Sequence, residues 1–154
     1  MGMLTAAKPA RPAVTTGAAL MILGGALMIV GSLLNWFEIE GESFSGFSSV
    51  DGETKDGPVF SVLGGIAIAF GFIQLLSKKV LALGIIGVVI SAFGLLAAVA
   101  DVGDVNDAVD QLKRINEANG FSFTASTGPG LYVVIGGAAL AIAGSIASIA
   151  KRRV

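Results

Sequence analysis

The chain contains no cysteine and no histidine. Without cysteine there is no disulfide, no thiolate nucleophile and no thiolate metal site. Without histidine the commonest general base and the commonest metal ligand are missing. Charge is scarce too: 14% of the 154 residues are Asp, Glu, Lys or Arg, against about 25% in a typical soluble domain. Proline occurs four times, never inside a long apolar run. The chain is instead 54% hydrophobic with 22 glycines and a mean hydropathy of +0.84. Such a balance describes helices packed in lipid, and the length suits one compact domain.

Four uncharged stretches are long enough to cross about 30 Å of hydrocarbon, which takes roughly 20 helical residues. They are 16–37, 58–77, 80–100 and 129–150. In lipid each backbone N–H and C=O must be satisfied within its own segment, so these are expected to be helices. Their Val and Ile do not argue for strands, because the runs are too long and lack period-two alternation. The first run follows Lys8 and Arg11 like a signal peptide. It is longer than a signal core of about 7–15 residues and ends in Leu33-Leu34-Asn35-Trp36-Phe37, not in a cleavage site. It reads as a retained helix.

The connecting segments sort by charge. The tails 1–15 and 151–154 and the link 78–79 carry seven basic side chains (Lys8, Arg11, Lys78, Lys79, Lys151, Arg152, Arg153) and no acidic one. Segments 38–57 and 101–128 hold all eleven acidic residues and three basic ones. The positive-inside rule then predicts a multi-pass protein of the plasma (inner) membrane, with both termini cytoplasmic and two acidic outer loops. The basic residues serve as topology determinants and can touch anionic lipid headgroups, at about 1 kcal/mol each.

Each run carries two glycines seven residues apart: Gly24 and Gly31, Gly64 and Gly71, Gly87 and Gly94, Gly137 and Gly144. Seven residues is close to two turns, so each pair shares a face. Small faces let helices approach closely, and the expected role is helix packing. A groove for a lipid or small apolar molecule is the functional alternative. No Asp, Glu, Lys or Arg lies inside a run, which argues against a pump, a voltage sensor or a proton-coupled transporter. Gln74 is strongly polar but sits about a turn from the cytoplasmic end, where water or a carbonyl can satisfy it.

Trp36 and Phe37 are placed at the membrane interface, where aromatic rings favour the headgroup layer. Phe37-Glu38-Ile39-Glu40 has strand period, and a second strand is expected within 42–50. Asp51-Gly52 and Asp56-Gly57 are turn signals. Pro58 suits a first helical turn. In the second loop Val105, Val109, Leu112 and Ile115 recur at helical spacing, predicting an amphipathic helix over 104–118, bent at Gly103 where it leaves the third span. Asn119-Gly120 would end it in a left-handed cap. Residues 121–125 alternate like a strand and are expected to pair with 37–40. Phe44, Phe47, Phe121 and Phe123 would then form a small core of an extracytoplasmic cap.

Asp101, Asp104, Asp107 and Asp110 recur every third residue. Each step turns about 60° around a helix, so the carboxylates fan out, and the run lacks the ligand spacing of a calcium loop. A solvated helix face is the plain reading and cation binding the alternative. Asp51, Glu53 and Asp56 could be imagined as paired catalytic carboxylates, but their turn-rich setting reads as loop.

Trp36, Ser45-Gly46-Phe47 with the two Asp-Gly turns, Gly128-Pro129-Gly130-Leu131-Tyr132 and the basic tail resemble a group of small four-pass membrane proteins of actinobacteria. That likeness covers nearly the whole chain and implies no activity. The order of parts also resembles the claudin-like tetraspan topology: four helices, a protruding third helix and a small extracellular sheet. The claudin Gly-Leu-Trp signature and loop cysteines are missing here, so junction formation is not implied.

The expectation is an all-α membrane protein, a four-transmembrane-helix bundle with a small extracytoplasmic β-sheet. It would be a non-enzymatic scaffold or accessory subunit that presents its acidic cap to a protein partner or to another copy of itself. Lipid or small hydrophobic molecule binding and transport is the alternative, and an oligomeric channel is third. No catalytic residue, metal, cofactor or nucleic-acid partner is expected.

Overall fold

The computed structural model describes residues 12–48, 56–76 and 80–150. Helix α1 is Pro12–Leu33, followed by strands β1 (Asn35–Ile39) and β2 (Glu42–Ser45), helix α2 (Gly57–Leu76), helix α3 (Val80–Asn119), strand β3 (Ala125–Thr127) and helix α4 (Gly130–Ala150). All four helices are long and apolar enough to cross a membrane. The chain is a four-helix, membrane-spanning bundle. The tails, the link at 77–79 and the loop at 49–55, with the Asp51-Gly52 turn, lie outside the described residues.

Side-chain size sorts between inside and outside in the manner of lipid-embedded helices. Large apolar residues point outward, among them Val62 on α2 and Val89, Phe93 and Leu96 on α3. Gly, Ala and Ser fill the seams. Lipid tails are as apolar as Leu, so large residues gain nothing by turning inward, and small ones gain close backbone contact. Helix α1 packs between α2 and α4, and α3 packs on α4; the α2–α3 seam is the lightest of those between neighbouring helices.

A three-stranded sheet, ordered β2-β1-β3, sits at one end of the bundle. Strand β1 is central and antiparallel to both neighbours, with Phe37 opposite Phe44 on one side and Thr127 on the other. The β1–β2 turn is the two residues Glu40 and Gly41, with φ of 55° and 83°. Positive φ at both positions is the type I′ turn, whose twist matches the flanking strands. Helix α3 runs on past the apolar region to flank β3, and Thr127 Oγ1 donates to Asn106 Oδ1 at 2.8 Å. Sheet and α3 extension together form a headpiece.

Three expectations change. The first apolar run continues to Phe37, but α1 stops at Leu33 and Asn35–Ile39 is strand. Residues 34–37 are uncharged, so the absence of charge that delimits the run does not mark the end of the helix. The strand expected at 121–125 is Ala125–Thr127 instead. The last ladder pair is Ile39 opposite Ala125; beyond it Glu40 N–H still donates to Thr124 O at 2.9 Å, and the Glu40-Gly41 turn then carries the chain away. The strand expected within 42–50 lies there, as Glu42–Ser45. Helix α3 is one 40-residue helix through Gly103, where no neighbour approaches. A lone exposed glycine there costs only about 1 kcal/mol of propensity.

Candidate functional site

The headpiece is joined to the bundle through Trp36. The indole is buried at 6% exposure, and its Nε1 donates to Gly31 O at 3.0 Å. Its ring lies 5.7 Å from that of Phe60. Gly46 and Gly130 give it room: a methyl group on either would meet the indole, at 2.5 or 2.6 Å. Gly57 N–H donates to Gly46 O, tying the β2 end to the start of α2. Trp36 is therefore a core plug shared by α1, α2 and α4, not the headgroup anchor read from its position. Met28, Phe60, Ala98, Leu131, Val134 and Ala138 complete that core, with Phe37 packed against it.

The expected four-phenylalanine core does not form. Phe44 stacks on Phe37 at 4.9 Å, nearly parallel, and Phe47 is half-buried. Phe121 and Phe123 stand 56% and 48% exposed, with rings 5.5 Å apart. The α3 terminus holds them there. Gly120 adopts φ of 70°, and Phe121 N–H donates to Asn116 O at 3.1 Å, which is a Schellman closure. The Asn116 amide also donates to Phe123 O at 2.6 Å. The segment is fixed to the helix end before it can reach the sheet.

The aspartates on α3 separate. Asp104, Asp107 and Asp110 are exposed, and Asp110 pairs with Lys113 at 3.5 Å. Asp101 is half-buried, and its Oδ2 is shielded with no partner. Burial pushes its carboxyl from the ordinary 3.8 up to about 6, and repulsion from Asp56 and Asp104 adds to the shift. Asp56 is brought near because its carbonyl begins α2, accepting from Val59 and Phe60 N–H. Among the described residues no cluster is placed to hold a metal ion; Asp51 and Glu53 lie outside them.

In the bundle, Gly24 and Gly137 face each other across α1 and α4: a methyl on either would meet the other's carbonyl oxygen at 2.5 or 2.6 Å. Gly31 meets Gly130 reciprocally at 2.8 Å, and Gly144 meets Gly17 O at 2.5 Å. Gly17, Gly24 and Gly31 thus oppose Gly144, Gly137 and Gly130 in one antiparallel seam. Gly17 and Gly130 were missed from sequence, although the same seven-residue step reaches both. Gly64 meets Gly25 across α1 and α2, and Gly71 meets Ala18 O and Ile22. On α3, Gly87 faces Ser145 Oγ and Met21 Cε, and Gly94 faces Met28 Cε, so side-chain ends replace backbone there.

Gln74 does not reach water. It is 1% exposed, and its Oε1 accepts from Ser148 Oγ at 2.8 Å, a tie from α2 to α4. Its Nε2 has no partner. Across α1 and α2, Ser32 Oγ and Ser61 Oγ share a hydrogen bond of 2.7 Å.

No family model, no curated protein and no solved structure matches the chain.

Proposed function

We propose that the chain is a non-enzymatic scaffold or accessory subunit of a membrane complex, acting through its acidic headpiece. In this reading it lies in the plasma membrane with both termini cytoplasmic and the headpiece outside. The observation that carries it is that the headpiece is a fixed structure on one end of an otherwise apolar bundle. Trp36 locks it to three helices, and Thr127 and Asn116 lock it to α3. A rigid, charged surface held off the bilayer suits recognition, because little ordering entropy is lost on binding. The test is native purification in mild detergent. A stoichiometric protein partner should co-purify and be lost when headpiece carboxylates are neutralised. A lone monomer under all mild conditions would sink the proposal.

The light α2–α3 seam favours a second reading, the handling of a lipid or small hydrophobic molecule. Gly94 lies on that seam with only Met28 and Leu63 side-chain ends against it. Here a defined lipid should be retained in native mass spectra of the purified protein and lost when Gly94 is replaced by Leu. Spectra showing no lipid, or lipids in membrane proportions, would count against it.

A further inference from the structure

We infer that the exposed phenylalanine pair Phe121–Phe123 is the docking patch for a basic, apolar-bearing segment of a partner protein; this rests on the accessory-subunit reading and names the partner's chemistry.

Two aromatic rings in contact, each about half exposed, are held in one geometry by hydrogen bonds to Asn116. Ile115, the residue before Asn116, is 51% exposed. Exposed apolar side chains rimmed by polar ones mark interaction sites, and aromatic residues dominate binding hot spots. Position excludes the bilayer as the occupant. Asn116 lies sixteen residues beyond Ala100, the last of the apolar run, which on a straight helix is about 24 Å. Charge then chooses among the remaining partners. Among the described residues the headpiece carries eight carboxylates, three on the hairpin (Glu38, Glu40 and Glu42) and five on α3 from Asp101 to Glu117, against Lys113 and Arg114. Glu40 is beside the patch, its Oε1 accepting from Thr124 N–H at 3.4 Å, and Glu117 follows Asn116 directly. Lys113 is already paired with Asp110. A second copy would bring the same negative surface and be repelled, whereas a basic segment is steered in and its apolar side chains cover the rings.

The test uses the full chain in zwitterionic nanodiscs and three probe peptides: an amphipathic Lys/Leu helix, a Glu/Leu helix of the same pattern, and polylysine of equal length. The Lys/Leu peptide should bind the wild type at least about tenfold (~1.4 kcal/mol) more tightly than a Phe121→Ser/Phe123→Ser variant of unchanged melting temperature. Polylysine should bind both forms equally and weakly, and the Glu/Leu peptide neither. Equal Lys/Leu affinity for both forms, lowered by Glu40→Gln/Glu117→Gln, would overturn the patch and leave the acidic-headpiece reading standing. Self-association of the wild type in sedimentation, abolished by the Phe variant, would overturn the basic partner in favour of a second copy. A co-purified partner whose binding survives the Phe variant would overturn the patch alone.

Discussion

Gly136 and Gly137 are neighbours on α4, yet the same substitution should have opposite effects at the two. A methyl group on Gly137 would sit 2.6 Å from Gly24 O and 2.8 Å from Met28 N, whereas Gly136 has nothing within 4 Å. Ordinary carbon–oxygen contact is about 3.3 Å, so Gly137→Ala must part α1 from α4 by several tenths of an ångström. The opposing atoms are backbone and cannot rotate away. A gap of 0.5–1 Å forfeits about a quarter to a half of each dispersion contact along the seam, and overpacking of this kind costs about 1–3 kcal/mol. Gly136→Ala meets open space and gains helix propensity, so it should be neutral or stabilise by up to about 1 kcal/mol. Gly64 and Gly65 repeat the contrast on α2, because Gly64 faces Gly25 O at 2.5 Å and Gly65 faces nothing. Gly24→Ala combined with Gly137→Ala should cost less than the two singles added, since one separation relieves both. The assay is reversible unfolding in mixed micelles, followed by helical circular dichroism. Equal effects of Gly136→Ala and Gly137→Ala, within about 0.5 kcal/mol, would refute the close seam.

Trp36 is the one tryptophan, so intrinsic fluorescence reports the headpiece junction directly. Its emission should be blue-shifted in the folded protein, and Trp36→Ala should cost about 3–5 kcal/mol through the cavity left in the core; a red emission maximum before unfolding would contradict its burial. Asp101 should make stability depend on pH. Its folded pKa of about 6 lies above the ordinary 3.8, so the folded state holds the proton more tightly. Its contribution to stability should therefore be greatest below pH 3.8, fall up to about pH 6 and then level off. Asp101→Asn should remove that slope and raise the melting temperature at pH 7, and an unchanged slope would assign it to other groups. Ser148→Ala should destabilise by about 0.6–2 kcal/mol, since it removes the partner of a buried amide. Gln74→Leu should be nearly neutral, because it removes the unpartnered Nε2 along with the bond; a larger loss for Gln74→Leu than for Ser148→Ala would contradict that account.

The apolar runs are legible in the sequence because a bilayer imposes length and the exclusion of charge, both of which are one-dimensional. Where α1 ends is less legible, since Trp36 and Phe37 are equally apolar in strand or helix and only their tertiary contacts decide. The two strands of the hairpin are legible from the alternation at 37–40 and the segment after it, but Glu40-Gly41 lacks the Asn-Gly or Asp-Gly signature of a type I′ turn, so the turn type and the end of the β1–β3 ladder are not. Phe121 and Phe123 alternate as a strand would, but the Gly120 closure and the Asn116 amide keep them at the helix end. Seven-residue glycine spacing identifies a face on each helix without saying which faces meet. That information lies in helix packing, as does the approach of Asp56 to Asp101, which come from different helices. Gln74 shows the same gap: its depth along α2 is readable, and the Ser148 hydroxyl across the bundle is not.

The proposed orientation of the tetraspan bundle puts its headpiece outside and the helix termini at the other end inside. Because the chain has no native cysteine, single cysteines report accessibility without background. Ser43, exposed on β2, and Ala150, exposed at the end of α4, mark the two ends. In intact cells an impermeant thiol reagent should label Ser43→Cys at once and Ala150→Cys only after permeabilisation. Labelling of both positions from outside, or of Ala150→Cys alone, would contradict the account.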